Sequence, residues 1–505
     1  MEIQTVSSVK LLLALLVPLI GTLGVMFMGK NENVREGVSS AASIILLLIV
    51  ASMIPDVLDG KILEYHMFTV WLPGIANQTG LTVALRADGM SMIFALVASS
   101  LWTIAVFYSL GYMRAHQEHA QTRFNACFAL AIFGAIGVAF SDNLFTMYLF
   151  YEIVSVCTYP LVAHAQDKAG YDGAQKYIVY LTTTAKLFLL PALILIYVLT
   201  GTLDFPHNIS EGLFTNGLAS GNIKNWSVIM LYIFCLFGFA KNGVMPFHHW
   251  LPGAMVAPTP VSALLHAVAV VKVGVFCTTR TMLYVFGVDT MHALNLGIPT
   301  AYFVGFTVLA ASVLALSKNN LKERLAYSTI SQLSYIILGV ALLTPAGIDG
   351  GLIHIVNHAF SKITLFFCAG AIMIAHHKKD LSEMGGLGKS MPITFACFFI
   401  ASLSMIGAPP VAGFVTKWNL LVGSIQAHQM GILLILIAST MLNVGYFAPV
   451  TYKAFFGKRP EGETYQGIQE APLTMLIPIV IACTISVLLG IFPNFMMQFV
   501  RAVTG

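Results

Sequence analysis

Apolar runs of about 20 residues recur from one end of the chain to the other, separated by short polar or charged segments. A run of that length is what an α-helix needs to cross the hydrocarbon core of a bilayer. The first run, from about Val9 to Met28, is too long for the core of a signal peptide, and no small-residue cleavage pattern follows it. The pattern predicts an all-α polytopic membrane protein with about fourteen transmembrane helices, near 9–29, 37–55, 88–112, 124–141, 142–164, 171–200, 226–245, 258–285, 296–317, 324–344, 348–376, 391–425, 429–456 and 472–497.

Two of the predicted helices are interrupted by proline. The seventh is broken near Pro246, and the twelfth is broken at Pro409-Pro410. Helix-breaking residues survive at membrane depth only where protein or water covers the freed backbone groups. The span before the first break carries Lys186, and the span before the second carries Lys362 in a similar frame. Paired interruptions in corresponding positions are typical of inverted-repeat transporters.

Composition excludes several classes of function. Of the 505 residues, 57% are hydrophobic and 10% are charged, and the mean hydropathy is +0.82, values that no soluble domain has. The net charge of +4 is spread over loops and forms no basic patch for nucleic acid. The seven cysteines are scattered without a CxxC pair, and no glycine-rich nucleotide-binding motif occurs. We therefore predict neither a metal site nor a cofactor, and we assign any redox chemistry to a partner chain.

The positions of lysine and arginine predict the orientation of the chain. With both termini outside, the inner loops hold fourteen of these residues and the outer segments hold six. The positive-inside rule then favours a multi-pass protein of the cell's inner (plasma) membrane with both termini on the outer side. The remaining lysines lie within predicted spans: Lys186, Lys241, Lys272, Lys362, Lys417 and Lys453.

Glu152 and Lys241 are candidate functional residues because each is a charge within a predicted span. An ionised side chain at the membrane centre costs about 2.5–3.5 kcal/mol even on insertion scales. Opposite charges a few ångströms apart stabilise each other's charged form, so the two residues are predicted to pair. A pair whose strength varies with proton loading could act as a switch. A protonated, hydrogen-bonded carboxyl with a structural role is the alternative for Glu152.

The eighth and eleventh spans carry histidine together with lysine. His266 and Lys272 are six residues apart and point about 120° from each other, so we expect His266 to face a loop cavity and Lys272 to face the bundle centre. His354, His358 and Lys362 follow at i, i+4 and i+8 and share one helix face. Imidazole titrates near neutrality, so this row suits proton hopping through water. Two histidines at this spacing could also hold a metal, but no acidic or thiolate ligand and no HExxH motif accompanies them.

Lys417 follows the second break, as Lys241 accompanies the first, and this correspondence favours a functional role. A lysine near a helix end can instead extend its ammonium group to the membrane surface. Lys186 lies beside Thr182, Thr183 and Thr184, and the sequence leaves open whether it belongs to the same path.

The segments LFTMYLFYE, KNGVMPFHHWLPGAMVAPTPVSALLHA, LKERLAYSTISQLSYIILG, HAFSKITLFF and GAPPVAGFVTKWNLL run from the fourth to the twelfth predicted span. In these segments the chain resembles the antiporter-like subunit family. That family includes large membrane subunits of respiratory NADH:quinone oxidoreductase, the A and D subunits of multisubunit sodium/proton antiporters, and membrane subunits of membrane-bound hydrogenases. Lys417 differs from the glutamate of some respiratory members, and VVKVGVF and YKAFFGKRP look more like the hydrogenase or antiporter members.

The resemblance implies a division of the chain into four parts. These are N-terminal helices 1–3 (1–112), a first inverted five-helix repeat of helices 4–8 (124–285), a second of helices 9–13 (296–456), and helix 14 (472–497). It further implies discontinuous helices 7 and 12, a Glu152–Lys241 pair, and a hydrophilic axis that continues through Lys272, His354, His358 and Lys362 and ends at Lys417. These residues also stand out independently of the resemblance, because placing an ionisable side chain in the hydrocarbon core costs free energy.

From the residues and the resemblance together, we expect a proton-translocating antiporter-like subunit of a redox-driven complex of the hydrogenase or NADH:quinone oxidoreductase type. Its partners would be other membrane subunits, including other antiporter-like ones, and its cargo would be protons, with Na⁺ as an alternative ion. One alternative function is that of a subunit of a multisubunit Na⁺/H⁺ antiporter without redox input. Another is that of an anchor that conducts no ions or a subunit that couples inorganic-carbon uptake.

Overall fold

The computed structural model describes residues 4–71, 80–459, 465 and 467–504. Within these residues, eleven helical stretches are long and apolar enough to cross a membrane, and two further apolar helices, Asn225–Gly238 and Pro392–Ile406, are shorter. The prediction of a helical polytopic membrane protein is therefore confirmed. A helix occupies every predicted span, but fourteen is reached only by also counting the two short helices and Leu321–Ala341. The exact number of spans therefore stays a prediction.

The N-terminal part combines four helices with a small β-sheet. The strands are β1 (Gln4–Ser7), β2 (Lys61–Val70) and β3 (Leu81–Ala87), and β2 pairs in parallel with β1 and antiparallel with β3. The helices are α1 (Lys10–Phe27), α2 (Glu32–Ala51), α3 (Ile54–Leu58) and α4 (Gly89–Ala115). The sheet was not predicted, because a search for long apolar runs passes over short strands. Half-buried and exposed side chains alternate along the end of β2, which is the two-residue period of a strand.

The first of the two larger helical groups begins after α4. Its elements are α5 (Gln121–Ala139), α6 (Leu144–Val162), α7 (Lys168–Thr184), a π-helical segment (Ala185–Leu189), α8 (Leu190–Thr200), α9 (Thr215–Ala219), α10 (Asn225–Gly238), a 3₁₀ turn (Ala240–Asn242), α11 (Trp250–Gly253), a 3₁₀ turn (Ala254–Val256), α12 (Thr259–Ala263), a π-helical segment (Leu264–Val268), α13 (Val270–Arg280), a π-helical segment (Thr281–Phe286) and α14 (Val288–Ala293).

The second group has fewer and longer helices. Its elements are α15 (Gly297–Ser317), α16 (Leu321–Ala341), α17 (Pro345–His376), 3₁₀ turns (Leu381–Glu383 and Leu387–Lys389), α18 (Pro392–Ile406), α19 (Gly413–Gln426), α20 (Met430–Phe456), α21 (Leu473–Ile491) and α22 (Asn494–Thr504).

The centre of the molecule consists of α4, the stretch from α12 to Phe286, and α17. Every residue from Thr259 to Phe286 is buried, and α4 and α17 are buried on most sides. By contrast, α2 and α20 expose long rows of leucine, isoleucine and methionine on one side. A helix that is apolar all round and enclosed by others belongs to the interior of a bundle, whereas an exposed apolar face suits lipid or a partner chain. The candidate lysines of α13 and α17 thus lie in the interior.

The first break separates α10 from α11, and side chains satisfy the backbone groups that the break frees. The Asn242 side-chain carbonyl accepts a hydrogen bond from the Val244 N–H (3.0 Å), and its amide donates to the backbone carbonyl of Leu236 (3.3 Å) and to Thr278 Oγ1 (3.2 Å). The indole N–H of Trp250 donates to the carbonyl of Ala240 (3.1 Å). These contacts replace the missing helical bonds, and they confirm the predicted interruption.

The second break separates α18 from α19 and is closed in a similar way. Ser404 Oγ accepts from the Gly413 N–H (3.1 Å) and also from Ser361 Oγ (2.7 Å), while Asn357 of α17 donates to the carbonyl of Ala412 (2.8 Å). The proline pair thus interrupts the twelfth predicted span as expected, and α17 supplies the polar groups that cover it.

Gly407, the residue after α18, has a left-handed backbone (φ +89°), and a Cβ there would lie 2.5 Å from Cδ of Lys417. The left-handed conformation costs about 1–2 kcal/mol for a residue with a side chain. We expect Gly407→Ala to lower the thermal unfolding midpoint of the purified protein in detergent by more than Gly201→Ala does. Gly201 has a similar φ of +76°, but nothing lies within 4 Å of the position that a Cβ would take there. Equal shifts for both variants would contradict a specific close approach of Lys417.

Arg280 is one of the six lysines and arginines predicted in the outer segments, and the structure shows that it is not exposed there. It is completely buried at the end of α13, and its Nη2 lies 2.6 Å from Asp88 Oδ2, which precedes α4. It also lies over the ring of Tyr284, 4.0 Å from the centroid. From the sequence alone, this arginine is counted with the outer segments because it lies near the outer end of the predicted span 258–285, whereas the structure buries it completely.

Candidate functional site

Lys241 lies at the first break, in the 3₁₀ turn that follows α10, and it is completely buried. Its Nζ donates to the backbone carbonyl of Tyr151 (2.8 Å) and to Ser155 Oγ (2.7 Å), and it lies 3.1 Å from the centroid of the Tyr151 ring. All three contacts come from one turn of α6. The ammonium group therefore has hydrogen-bond acceptors and an aromatic face, which together reduce the cost of burying a cation.

Glu152 and Lys241, which are predicted to pair, make no direct contact, although their charges are near enough to interact electrostatically. The Nζ hydrogen bonds go to Tyr151 and Ser155, and Glu152 Oε1 is buried without a hydrogen-bond partner in the part of the chain that the structure describes. Adjacent residues on a helix point about 100° apart. Because Tyr151 points toward the first break, the neighbouring side chain of Glu152 points to a different side of α6. Lys186, whose role the sequence left open, is exposed on the outside of the chain.

The π-helical segment Leu264–Val268 changes the relation between His266 and Lys272. A π-turn is wider than an α-turn, so the 100°-per-residue argument that set these side chains about 120° apart does not hold across it. Both now contact α17. The His266 ring packs against Phe366 (4.8 Å between centroids) with both ring nitrogens buried and without hydrogen bonds among the described residues. The expectation that His266 faces a loop cavity is therefore wrong.

Lys272 and His358 form the closest contact between the candidate residues. Lys272 Nζ lies 2.6 Å from His358 Nδ1, and both side chains are completely buried. One proton must lie between these two nitrogens, on the ammonium or on the imidazole. The predicted position of Lys272 at the bundle centre agrees with this contact.

The row along α17 continues from His358 to His354. The two rings have centroids 5.7 Å apart, and His354 Nδ1 lies 3.2 Å from Thr416 Oγ1 of α19. The Nε2 atoms of both histidines are buried without hydrogen-bond partners among the described residues. Lys362, predicted on the same face, instead donates to Ser328 Oγ of α16 (2.9 Å). The direct contacts thus run from α13 through α17 to α19.

Lys417 follows Thr416 on α19 and lies beyond the second break. Its Nζ donates to Thr440 Oγ1 of α20 (2.9 Å) and lies 5.4 Å from the centroid of the Tyr335 ring. The side chain is half-buried, unlike those of Lys241, Lys272 and Lys362. Among Lys241, Lys272, Lys362 and Lys417, Lys417 is therefore the lysine that is partly exposed at the protein surface.

The uncharged partners of the lysines could not be predicted from the sequence. Serine and threonine within helices commonly bond to the backbone carbonyl four residues back, so nothing in the sequence separates those that also hold an ammonium group. Spacing between distant helices is not visible in a sequence either. The partners of the lysines are Tyr151, Ser155, Ser328 and Thr440, and Thr416 is the corresponding partner of His354.

Two cavities open near the loops that the sequence predicts on the inner side. One, of about 370 Å³, is lined by Glu118, Pro258, Thr259 and Lys322 among others, and it reaches the beginning of the helical stretch that carries His266 and Lys272. The other, of about 470 Å³, is lined by His249 and further polar side chains beside the first break. Both are large enough to hold several water molecules.

Comparison with known proteins identifies the family. Residues 141–443 match the family model described as NADH:quinone oxidoreductase/Mrp antiporter, TM, and residues 71–125 match the model for the N-terminus of complex I chain 5. The chain is 33% identical over 398 residues to NAD(P)H-quinone oxidoreductase chain 5 of Synechocystis sp., covering 76% of this chain and 56% of that protein. It is 32% identical over 454 residues to the A subunit of the Na(+)/H(+) antiporter of Alkalihalophilus pseudofirmus, covering 84% and 54% respectively. The chain spans about half the length of the curated relatives it matches.

The fold has a close counterpart among solved structures. A chain of the membrane-bound sulfane sulfur reductase, an archaeal respiratory membrane complex, superposes with a TM-score of 0.83 at 21% identity, covering 98% of this chain and 97% of that one. At this identity the likeness concerns the fold alone. Taken with the family model and the relatives, the chain belongs to the family of antiporter-like membrane subunits that respiratory NADH:quinone oxidoreductases and Mrp antiporters share.

Proposed function

We propose that this chain transfers protons across the cell's inner (plasma) membrane as an antiporter-like subunit of a redox-driven complex. The observation that carries the proposal is the contact series Lys272–His358–His354–Thr416, which crosses from α13 through α17 to α19 in the buried interior. Burying two imidazoles and a lysine in one series is expensive, and an inert anchor gains nothing from it.

A proton enters, in this proposal, from the inner side through water in the cavities beside Lys322 and His249. It is received at Lys272, which lies on the helical stretch whose beginning lines the first cavity, or at Lys241 in the first break. The lysines are suited to this step because a lysine amine can bind a proton and release it again to a neighbouring acceptor.

Transfer along α17 uses the two nitrogens of each imidazole. Lys272 gives its proton to His358 Nδ1, and the opposite nitrogen of a protonated ring can release a proton toward His354 through water. Thr416 Oγ1, which both donates and accepts, connects His354 to the region of Lys417. Lys417, which is half-buried, releases the proton to the outer side. Moving one charge against 100 mV requires about 2.3 kcal/mol.

Replacing His358 with asparagine is the test of the proposed series. Asparagine keeps a polar group near Lys272 Nζ but cannot carry a proton, so we expect proton translocation by the reconstituted complex to fall at least tenfold, or by about 1.4 kcal/mol of barrier. The measurement is the change of internal pH in vesicles that contain the purified complex. His428→Asn, which changes an exposed histidine, is the matched control and is expected to behave as wild type. Equal rates for the two variants would contradict a relay through His358.

A second candidate function is Na⁺/H⁺ exchange without redox input, which the relationship to the Na(+)/H(+) antiporter of Alkalihalophilus pseudofirmus favours. The same vesicles distinguish the two. A redox-driven subunit moves protons when an electron donor is supplied and in the absence of Na⁺, whereas an exchanger responds to an imposed Na⁺ gradient without a donor. An anchor, or a subunit that couples inorganic-carbon uptake, would show neither response.

A further inference from the structure

A compact group of histidines and one carboxylate lies at the edge of the cavity beside Lys322, in the connection α4–α5 and after α6, and none of its members belongs to the buried row of lysines and histidines. Glu118 and His119 come from the first connection and His164 from the second. One ligand atom from each of the three lies within 4.8 Å of those of the other two. The rings of His119 and His164 have centroids 4.9 Å apart. Two chain segments that are distant in sequence thus place imidazole and carboxylate groups around one point.

The second observation concerns His164, which is completely buried. Neither of its ring nitrogens has a hydrogen-bond partner among the described residues, and Nε2 lies 3.6 Å from Glu118 Oε2. That distance is beyond a hydrogen bond. His119 Nδ1 lies 3.8 Å from the same carboxylate oxygen. A buried imidazole is normally hydrogen-bonded. His164 lacks such a bond among the described residues, so its ring nitrogen is free to bind an ion between the side chains of this cluster.

Two of the three separations are close to those around a bound metal ion, and the third, between the nitrogens of His119 and His164, is within 4.8 Å, so binding requires the exposed His119 to move toward His164. Zinc binds imidazole nitrogen and carboxylate oxygen at about 2.0–2.2 Å, so tetrahedral ligands lie roughly 3.4 Å from one another. The two measured distances of 3.6 and 3.8 Å exceed that value by a few tenths of an ångström. His119 is about half exposed and Glu118 is partly exposed, which leaves a route for an ion from the aqueous side. His116 Nε2, 3.9 Å from Glu118 Oε1, is near enough to approach as a further ligand.

We infer that Glu118, His119 and His164 form a binding site for a divalent transition-metal ion, with Zn²⁺ the preferred occupant. Two imidazoles and one carboxylate suit zinc and its neighbours, whereas Mg²⁺ and Ca²⁺ prefer oxygen ligands alone. The backbone carbonyl of His164 accepts a hydrogen bond from Arg123 Nη2 (3.0 Å), which fixes the position of this ligand. Glu118 also lines the cavity of about 370 Å³, so the ion would lie at the edge of that cavity.

The test is zinc binding by the purified complex, titrated with Zn²⁺ in competition with a fluorescent chelator. We expect His119→Gln to remove one zinc site per chain, or to weaken it at least tenfold. His292→Gln, which changes an exposed histidine elsewhere, should leave the titration unchanged. Glu118→Gln provides an independent loss of a ligand, and neither variant alters the fully buried His164. Mg²⁺ at the same concentrations should not displace the zinc.

Titrations that are identical for wild type, His119→Gln and Glu118→Gln would overturn the assignment. Proton translocation need not be measured, so the outcome is independent of the proposed transport function. Loss of zinc binding in His292→Gln as well would also overturn it, because it would mean that binding is not specific to this cluster.

Discussion

Lys272→Met is expected to abolish proton translocation by the assembled complex. Methionine keeps much of the length of the side chain but removes the nitrogen that contacts His358 Nδ1, at 2.6 Å in the structure. Because Lys272 is completely buried, bulk water does not replace the lost group at that position. We expect a loss of at least a hundredfold in the rate of internal pH change, or about 2.7 kcal/mol, with electron transfer uncoupled or halted.

The control for Lys272→Met is Lys224→Met, an exposed lysine that precedes α10. Assembly of each variant is checked by co-purification of the partner subunits and by the thermal unfolding midpoint. If Lys272→Met assembles and translocates protons as fast as Lys224→Met, the buried contact series is not the path, and the proposed function fails.

Lys241→Ala is expected to have the second large effect, again the loss of proton translocation. The substitution removes the cation from the first break and leaves Ser155 Oγ and the Tyr151 carbonyl without the Nζ donor. Ser155 Oγ can still donate to the Tyr151 carbonyl (3.4 Å), so the loss of stability should be limited to that of the Nζ hydrogen bonds, roughly 1 kcal/mol each. Near-wild-type translocation by assembled Lys241→Ala would show that Lys241 carries no proton.

Lys241→Gln separates loss of charge from loss of structure. Glutamine can still donate to Ser155 and Tyr151, so its stability should lie closer to that of wild type, while it cannot exchange a proton. We expect Lys241→Gln to have a higher thermal unfolding midpoint than Lys241→Ala. Both variants should translocate protons equally poorly. If Lys241→Gln restores translocation, the role of Lys241 is structural and the first break needs only its hydrogen bonds.

The parts of the fold that could be predicted are those whose residues have a large favourable or unfavourable free energy of transfer into the membrane. Long apolar runs specify the spanning helices. Proline alone does not specify the two breaks, since Pro18, Pro160, Pro449 and Pro478 lie inside continuous helices, and the correspondence between the two halves of the chain was needed as well. A lysine within an apolar run stands out because of its transfer free energy, which is why Lys241, Lys272, Lys362 and Lys417 could be selected without a structure. The three strands could not be recognised in this way, because short strands with alternating side chains resemble loops between helices.

The details of the site depend on features that the sequence does not show. Nothing in LLHAV indicates a π-helical segment, yet this segment redirects His266 relative to Lys272. The pairing of Lys241 with the face of Tyr151, in place of the neighbouring carboxylate of Glu152, depends on how α6 is rotated against the first break. Such rotations are set by the packing of many side chains, each contributing a small energy. The division into inverted repeats stays a prediction.

The buried ion pair of Arg280 with Asp88 limits how the central helices can move. It joins the end of α13 to the start of α4, and removing one partner from such a pair costs about 3–5 kcal/mol. Sliding α13 along its own axis would separate these two side chains, whereas a tilt about them would not. Lys272 lies about two turns from Arg280, so a tilt of a few degrees displaces its ammonium group only by fractions of an ångström to an ångström. The ion pair therefore opposes sliding of α13 along its axis, and it leaves room only for a small sideways displacement of Lys272.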